Sequence, residues 1–199
     1  FATGQFGGAV EFSSNEWITT DAFAEDMSID AGKPRTISIW FKPYLQSHWA
    51  SAPNHGSQDP GLYWMGTTDN RFSPLSDGWG LRGFWGGSVA NNDNYTRIRS
   101  QHNGWDPEIQ VNEGMMDRWV HVAHIYTGTN MEMYVDGIKR YDAARGMYTT
   151  GKAQANYTYL RFGMFHTWTN VRRTFKGLID DFRVYKKAFS SSEVQALFG

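Results

Sequence analysis

Gly177-Leu178-Ile179-Asp180-Asp181-Phe182-Arg183-Val184-Tyr185, followed by Ala188-Phe189-Ser190 and Glu193, is the stretch on which the reading of this chain turns. Aromatic and β-branched residues fill positions 175–185, which predicts a strand. The chemistry changes immediately afterwards. Ser190 with Glu193 three residues on forms a capping box, and Val194, Leu197 and Phe198 supply one apolar side, which predicts a short C-terminal helix. Within the strand, Asp180 stands between Ile179 and Phe182. A carboxylate on a packed strand needs either hydrogen-bond donors or a cation.

Working outward, the same punctuation recurs. Short apolar runs separated by Gly, Asn, Asp and Pro predict strands at 9–12, 17–19, 35–42, 62–66, 79–85, 95–100, 119–126, 131–135 and 159–164. Met131 to Val135 alternates and then meets Asp136-Gly137, a hairpin signal. Two polar segments, 46–61 and 101–117, carry no strand period and read as long loops. There is no internal repeat and no shift in composition, so residues 1–199 read as one domain.

Composition removes several classes. A net charge of -1 offers no general attraction to nucleic acid. No apolar run is long enough for a membrane span, and Phe1 to Phe6 lacks the basic start and apolar run of a signal peptide. The absence of Cys excludes disulfides, thiolate metal sites and a cysteine nucleophile. At 16% aromatic residues, the chain is rich in ring systems.

Strand alternation sorts the faces. In 79–85, Trp79, Leu81, Gly83 and Trp85 share one side, leaving Arg82 and Phe84 on the other. Ile98 turned to the core sends Tyr95, Arg97 and Arg99 outward; Leu160, Phe162 and Met164 turned inward leave Tyr159 and Arg161 outward. Three strands thus offer Arg beside aromatic rings on their outer sides. Rings stack on the C–H face of a sugar, and guanidinium groups bind hydroxyl, carboxylate or sulfate oxygens. These arginines are either a convergent set or separate solvated side chains offset by Asp and Glu. Trp105 and Trp168, near His102 and His166, lie in polar loops, where an indole either stacks on a ligand or pins its own loop. His121 and His124 lie three apart in one strand and hence on opposite faces, which argues against a shared metal.

The closing stretch resembles the end of LamG-like (laminin G type 3) jelly-roll domains of the concanavalin A-like lectin/glucanase group. Arg118-Trp119-Val120-His121-Val122-Ala123, Met133-Tyr134-Val135-Asp136-Gly137, Gly8-Ala9-Val10-Glu11-Phe12 and Thr36-Ile37-Ser38-Ile39-Trp40-Phe41-Lys42-Pro43 agree, in the right order. Ser13-Ser14 departs from the usual Asp-Gly after the opening Phe.

The resemblance implies an all-β fold, two antiparallel sheets face to face, one of them concave. It implies an extracellular, periplasmic or cell-surface location and tethering to other domains of a larger chain. It also implies a structural Ca²⁺ at Asp180 with Asp181 adjacent; the competing reading is a carboxylate bonded to backbone amides. Glucanase relatives carry Glu-x-Asp-x-Glu on one strand and alginate-lyase relatives a Gln-Ile-His strand. Neither occurs in this sequence.

The expectation is therefore a non-catalytic module for a polysaccharide or oligosaccharide, acidic or sulfated by preference. Its candidate ligand residues are Arg82, Tyr95, Arg97, Arg99, His102, Trp105, Arg161, His166 and Trp168. The alternatives are a protein-binding or adhesion module, and a glycan lyase or hydrolase with an atypical site.

Overall fold

The computed structural model describes residues 1–13, 16–23, 33–44, 61–66, 79–85, 96–102, 107–111, 115–144, 159–165 and 173–199. In chain order the strands are β1 (Ala2–Thr3), β2 (Gly8–Phe12), β3 (Ile18–Phe23), β4 (Arg35–Pro43), β5 (Gly61–Gly66), β6 (Trp79–Trp85), β7 (Thr96–His102) and β8 (Glu108–Val111). They continue with β9 (Val120–Tyr126), β10 (Asn130–Val135), β11 (Ile138–Ala144), β12 (Tyr159–Phe162), β13 (Met164–Phe165), β14 (Arg173–Thr174) and β15 (Gly177–Tyr185). Helix α1 (Ser191–Phe198) closes the chain.

Among the described residues these build a seven-stranded sheet, β1-β2-β15-β4-β9-β10-β11, and a six-stranded sheet, β3-β12-β5-β6-β7-β8, with β13 and β14 as a small separate pair. Neighbouring strands pair antiparallel throughout. The result is a jelly-roll sandwich with one short helix, as the sequence predicts.

The apolar residues of each strand meet between the sheets. Phe12, Ile37, Ile39, Phe41, Val120 and Val122 come from one side; Leu62, Leu81, Ile98, Ile109 and Leu160 come from the other. Burial of this kind contributes about 1.5–3 kcal/mol per large side chain before the entropy of ordering is subtracted. The Asp136-Gly137 hairpin forms with both residues at positive φ, 50° and 74°, the combination that a two-residue turn matched to strand twist requires. The Asp136 carboxylate also accepts the His121 backbone N–H at 2.9 Å and the Arg118 guanidinium at 2.8 Å, tying the turn to β9.

The capping box on α1 is complete: the Ser190 backbone N–H donates to Glu193 Oε2 at 2.8 Å, and Ser190 Oγ accepts from the Glu193 backbone N–H. Of the three apolar residues expected to seat the helix, Val194 is buried, on Ala123, Ile125 and Tyr134. Phe198 instead stacks on Trp40, with the ring planes 11° apart.

The segment 101–117 is not one loop. It contains the end of β7 and all of β8, where Ile109 and Val111 are buried between Glu108 and Gln110. Four residues are too short a run for alternation to stand out from a polar context. Conversely, the strand expected at 159–164 breaks at Gly163, whose φ of +77° ends β12 and redirects the chain into β13. Residues 46–60, the other long predicted loop, lie outside the described set.

Candidate functional site

Register fixes what alternation alone leaves open. Tyr63, Leu81 and Ser100 face one another across β5, β6 and β7 on the core side. The residues between them hold the outer side. Arg82 is directly opposite Arg99, and Arg99 is directly opposite Glu108. One step along, Arg97 lies between Phe84 and Gln110. On β12, Arg161 is opposite Trp64, which in turn is opposite Gly80. Positions 82, 97, 99 and 161 therefore share the outer side of one sheet, across three strand spacings of about 4.8 Å each.

The electrostatics of this face are lopsided. Like charges directly opposite destabilise a strand pair, and Arg82 with Arg99 is such a pair. The Arg99 Nε–H donates to Glu108 Oε2, with both side chains 27% exposed, so this guanidinium has a carboxylate beside it.

Trp64 belongs to the same face, and sequence reasoning passed over it. Its indole lies over Gly80, where a Cβ would come within 2.8 Å of Trp64 Cε3 and 2.5 Å of the Tyr63 carbonyl oxygen. The glycine is thus required by close approach. At 4% exposure Trp64 supports the face from beneath more than it presents a bare plate. The signal was a glycine opposite a tryptophan, which is visible only once the register is known.

Of the remaining candidates, Tyr95, Trp105, His166 and Trp168 lie outside the described residues. His102 ends β7 at the position opposite Trp79.

Asp180 and Asp181 sit at a bulge in β15, where Asp181 adopts a φ of 47°. Each Asp180 oxygen accepts a backbone N–H, from Phe6 at 2.9 Å and from Asp181 at 2.8 Å. Asp181 accepts the Arg183 Nε–H at 2.7 Å. A Ca²⁺ shell wants six to eight oxygens, whereas these carboxylates are surrounded by N–H donors. Among the described residues no group of three or more His, Asp or Glu side chains could hold a metal ion. The two amide bonds are those that the competing reading of Asp180 expects. Beside it is a cavity of about 260 Å³, lined chiefly by Val10, Phe12, Ile18, Phe162, Ile179 and Phe182.

The two histidines of β9 do face opposite ways. His121 lies under α1, with Nε2 2.8 Å from Ser38 Oγ and its ring 5.1 Å from that of Trp40. Burial lowers its pKa to about 4, against an opposing pull from Asp136 and Asp181. His124 points into the core, with Nδ1 2.7 Å from the Tyr63 hydroxyl and Nε2 2.9 Å from Ser100 Oγ.

Several solved structures share this architecture. Domain 4 of AbnA, a GH43 extracellular arabinanase from Geobacillus stearothermophilus, in complex with arabinotriose, superposes with a TM-score of 0.60 at 20% identity, covering 100% of this chain and 80% of that one. The CBM40 of the Ruminococcus gnavus IT-sialidase, bound to α2,3 sialyllactose, gives 0.63 at 13% identity over 96% of both chains. A putative carbohydrate binding protein from Bacteroides ovatus gives 0.59 at 16% identity, over 94% of this chain and 45% of that one. At these identities the likeness shows the fold. No curated protein matches the sequence. The laminin G type 3 family model, described as the concanavalin A-like lectin/glucanases superfamily, matches residues 12–195, and the chain belongs to that family.

Proposed function

We propose that this chain is a non-catalytic carbohydrate-binding module that takes an acidic polysaccharide on the outer face of its six-stranded sheet. The observation that carries the reading is the cross-strand placement of Arg82 opposite Arg99, with Arg97 and Arg161 on the same side. A ligand carboxylate or sulfate would gain charge-assisted contacts with guanidinium groups gathered on that side, beside the Glu108 that Arg99 already pairs. The similarity to modules whose structures hold arabinotriose and sialyllactose supports a sugar ligand, and the second of these is acidic. Missing paired carboxylates support binding without cleavage. We place the module outside the cell or at its surface, tethered to a larger chain, because the modules it resembles belong to proteins such as an extracellular arabinanase.

The test is binding to polygalacturonate, heparin, arabinan and a neutral β-glucan at increasing NaCl. Binding to the two polyanions that weakens as salt screens the charges is the expected result. Salt-independent binding to a neutral glycan, lost on Trp105→Ala or Trp168→Ala and unaltered by Arg97→Ala, would move the site to the loops. Release of reducing ends or unsaturated products, abolished by one Asp or Glu substitution, would make the chain an enzyme.

A further inference from the structure

Among the described residues the core between the sheets buries the Arg35 guanidinium, over the Tyr126 ring, and a chain of hydrogen bonds that crosses from sheet to sheet. The Tyr63 hydroxyl on β5 meets His124 Nδ1 at 2.7 Å, and His124 Nε2 meets Ser100 Oγ on β7 at 2.9 Å. All three residues are 0% exposed. Both ring nitrogens of His124 are engaged, and both partners are hydroxyls, which donate or accept as the tautomer demands.

The placement of this chain is specific. Tyr63, Leu81 and Ser100 form one cross-strand row, so His124 reaches from the opposite sheet to the two strands that flank β6, about 10 Å apart. Each residue of that row is followed or preceded by one on the outer face: Trp64 after Tyr63, Arg82 after Leu81, Arg99 before Ser100. Leu81, Ile98 and Leu62 pack without directional preference, and such contacts tolerate small slides of one sheet over the other. Two buried hydrogen bonds from one rigid imidazole do not.

We propose that Tyr63, His124 and Ser100 are positioning residues for the anion-binding face, locking β5 and β7 onto β9 so that Trp64 and Arg99, the outer-face neighbours of Tyr63 and Ser100, keep their separation. This rests on the acidic-glycan reading above for its consequence, though not for its geometry. A purely stabilising role is the rival, because any buried hydrogen bond contributes to folding.

The two roles separate in a variant that makes the row apolar throughout. Tyr63→Phe, His124→Leu and Ser100→Ala together remove donor and acceptor of both hydrogen bonds, so neither bond leaves a partner orphaned and stability should stay near that of the native protein. The readouts are heparin affinity and the ¹H–¹⁵N correlation of Arg99 Nε, which reports the Glu108 pairing directly. We expect the triple variant to melt near the native temperature, to bind heparin about tenfold more weakly, and to show a shifted or broadened Arg99 signal. Native affinity with an unmoved Arg99 signal would overturn the proposal. Where the triple variant does not fold, Ser100→Ala alone removes one oxygen, and the same movement or constancy of the Arg99 signal decides. If the native protein binds neither heparin nor polygalacturonate, the acidic-glycan reading falls, while the Arg99 signal still judges the positioning.

Discussion

On the seven-stranded sheet the outer face is closed, and on the six-stranded sheet it carries arginine. Ser38, Trp40, His121, Ala123, Ile125 and Tyr134 point outward from β4, β9 and β10, yet each is at most 4% exposed. They are covered by α1 and the ends of the chain: Val194 lies on Ala123 and Ile125, Phe198 stacks on Trp40, and Phe6 meets Trp40 edge-on at 5.8 Å. The face of β6, β7 and β12 instead sets Arg82, Arg97, Arg99 and Arg161 on one side. A sandwich has one core and two outer faces. Here the outer side of β4, β9 and β10 contributes a second, smaller core, and that of the six-stranded sheet places Trp64 and Gly80 among the arginine positions.

The sharpest way to break this contrast is to put a charge where the structure closes. Val194→Asp would place a carboxylate against Ala123, Ile125 and Tyr134, and should destabilise by more than about 3 kcal/mol in urea titrations. Arg97→Glu on the other face should change stability by less than about 0.5 kcal/mol. Similar losses from both would mean that the two faces are not different in kind.

Acid probes the closed face next. His121 is buried neutral with a pKa of about 4, against 6.5 for the free side chain, and its Nδ1 has no hydrogen-bond partner among the described residues. Between these values the unfolded chain holds a proton that the folded chain refuses. Stability is therefore greatest above about pH 6.5 and falls by roughly 3 kcal/mol as pH drops to about 4. Denaturation midpoints at pH 7, 5.5 and 4.5 should decline in the native protein, and His121→Gln should flatten the decline. A slope unaltered by that substitution would assign it to other groups.

On the open face, Arg97→Ala should weaken polyanion binding by a factor of about ten to a hundred, corresponding to about 1.5–3 kcal/mol, with the fold intact. Arg99→Ala should weaken binding at least as much, because it removes a positive charge and leaves the Glu108 carboxylate without its guanidinium. A smaller loss would show that Glu108 already screens Arg99 from the ligand.

The smallest effect concerns Ca²⁺. With each Asp180 oxygen accepting an amide N–H, melting temperatures in EDTA and in millimolar Ca²⁺ should coincide. A rise with Ca²⁺ would restore the ion, through preferential binding to the native state.

Much of this was legible beforehand, for local reasons. The Ser190–Glu193 box, the Asp136-Gly137 turn and the inward turn of Leu81, Ile98 and Leu160 depend on neighbours a few residues away, and all three formed as read. Strand β8 escaped because four residues between polar neighbours make too faint a pattern, and Trp64 escaped because its meaning lies in Gly80, a strand away.

By itself, then, the sequence determined an all-β chain with a capped C-terminal helix, the core-facing side of a few strands, and the family to which the fold belongs. These are set by side-chain period and backbone preference, which act over one or two turns of chain. Tertiary structure alone decided that four arginines share a face, that Asp180 takes its donors from Phe6 and Asp181, and that His124 ties Tyr63 to Ser100. Each of these joins residues remote in sequence, and only strand order and register bring them within hydrogen-bonding or Coulomb range.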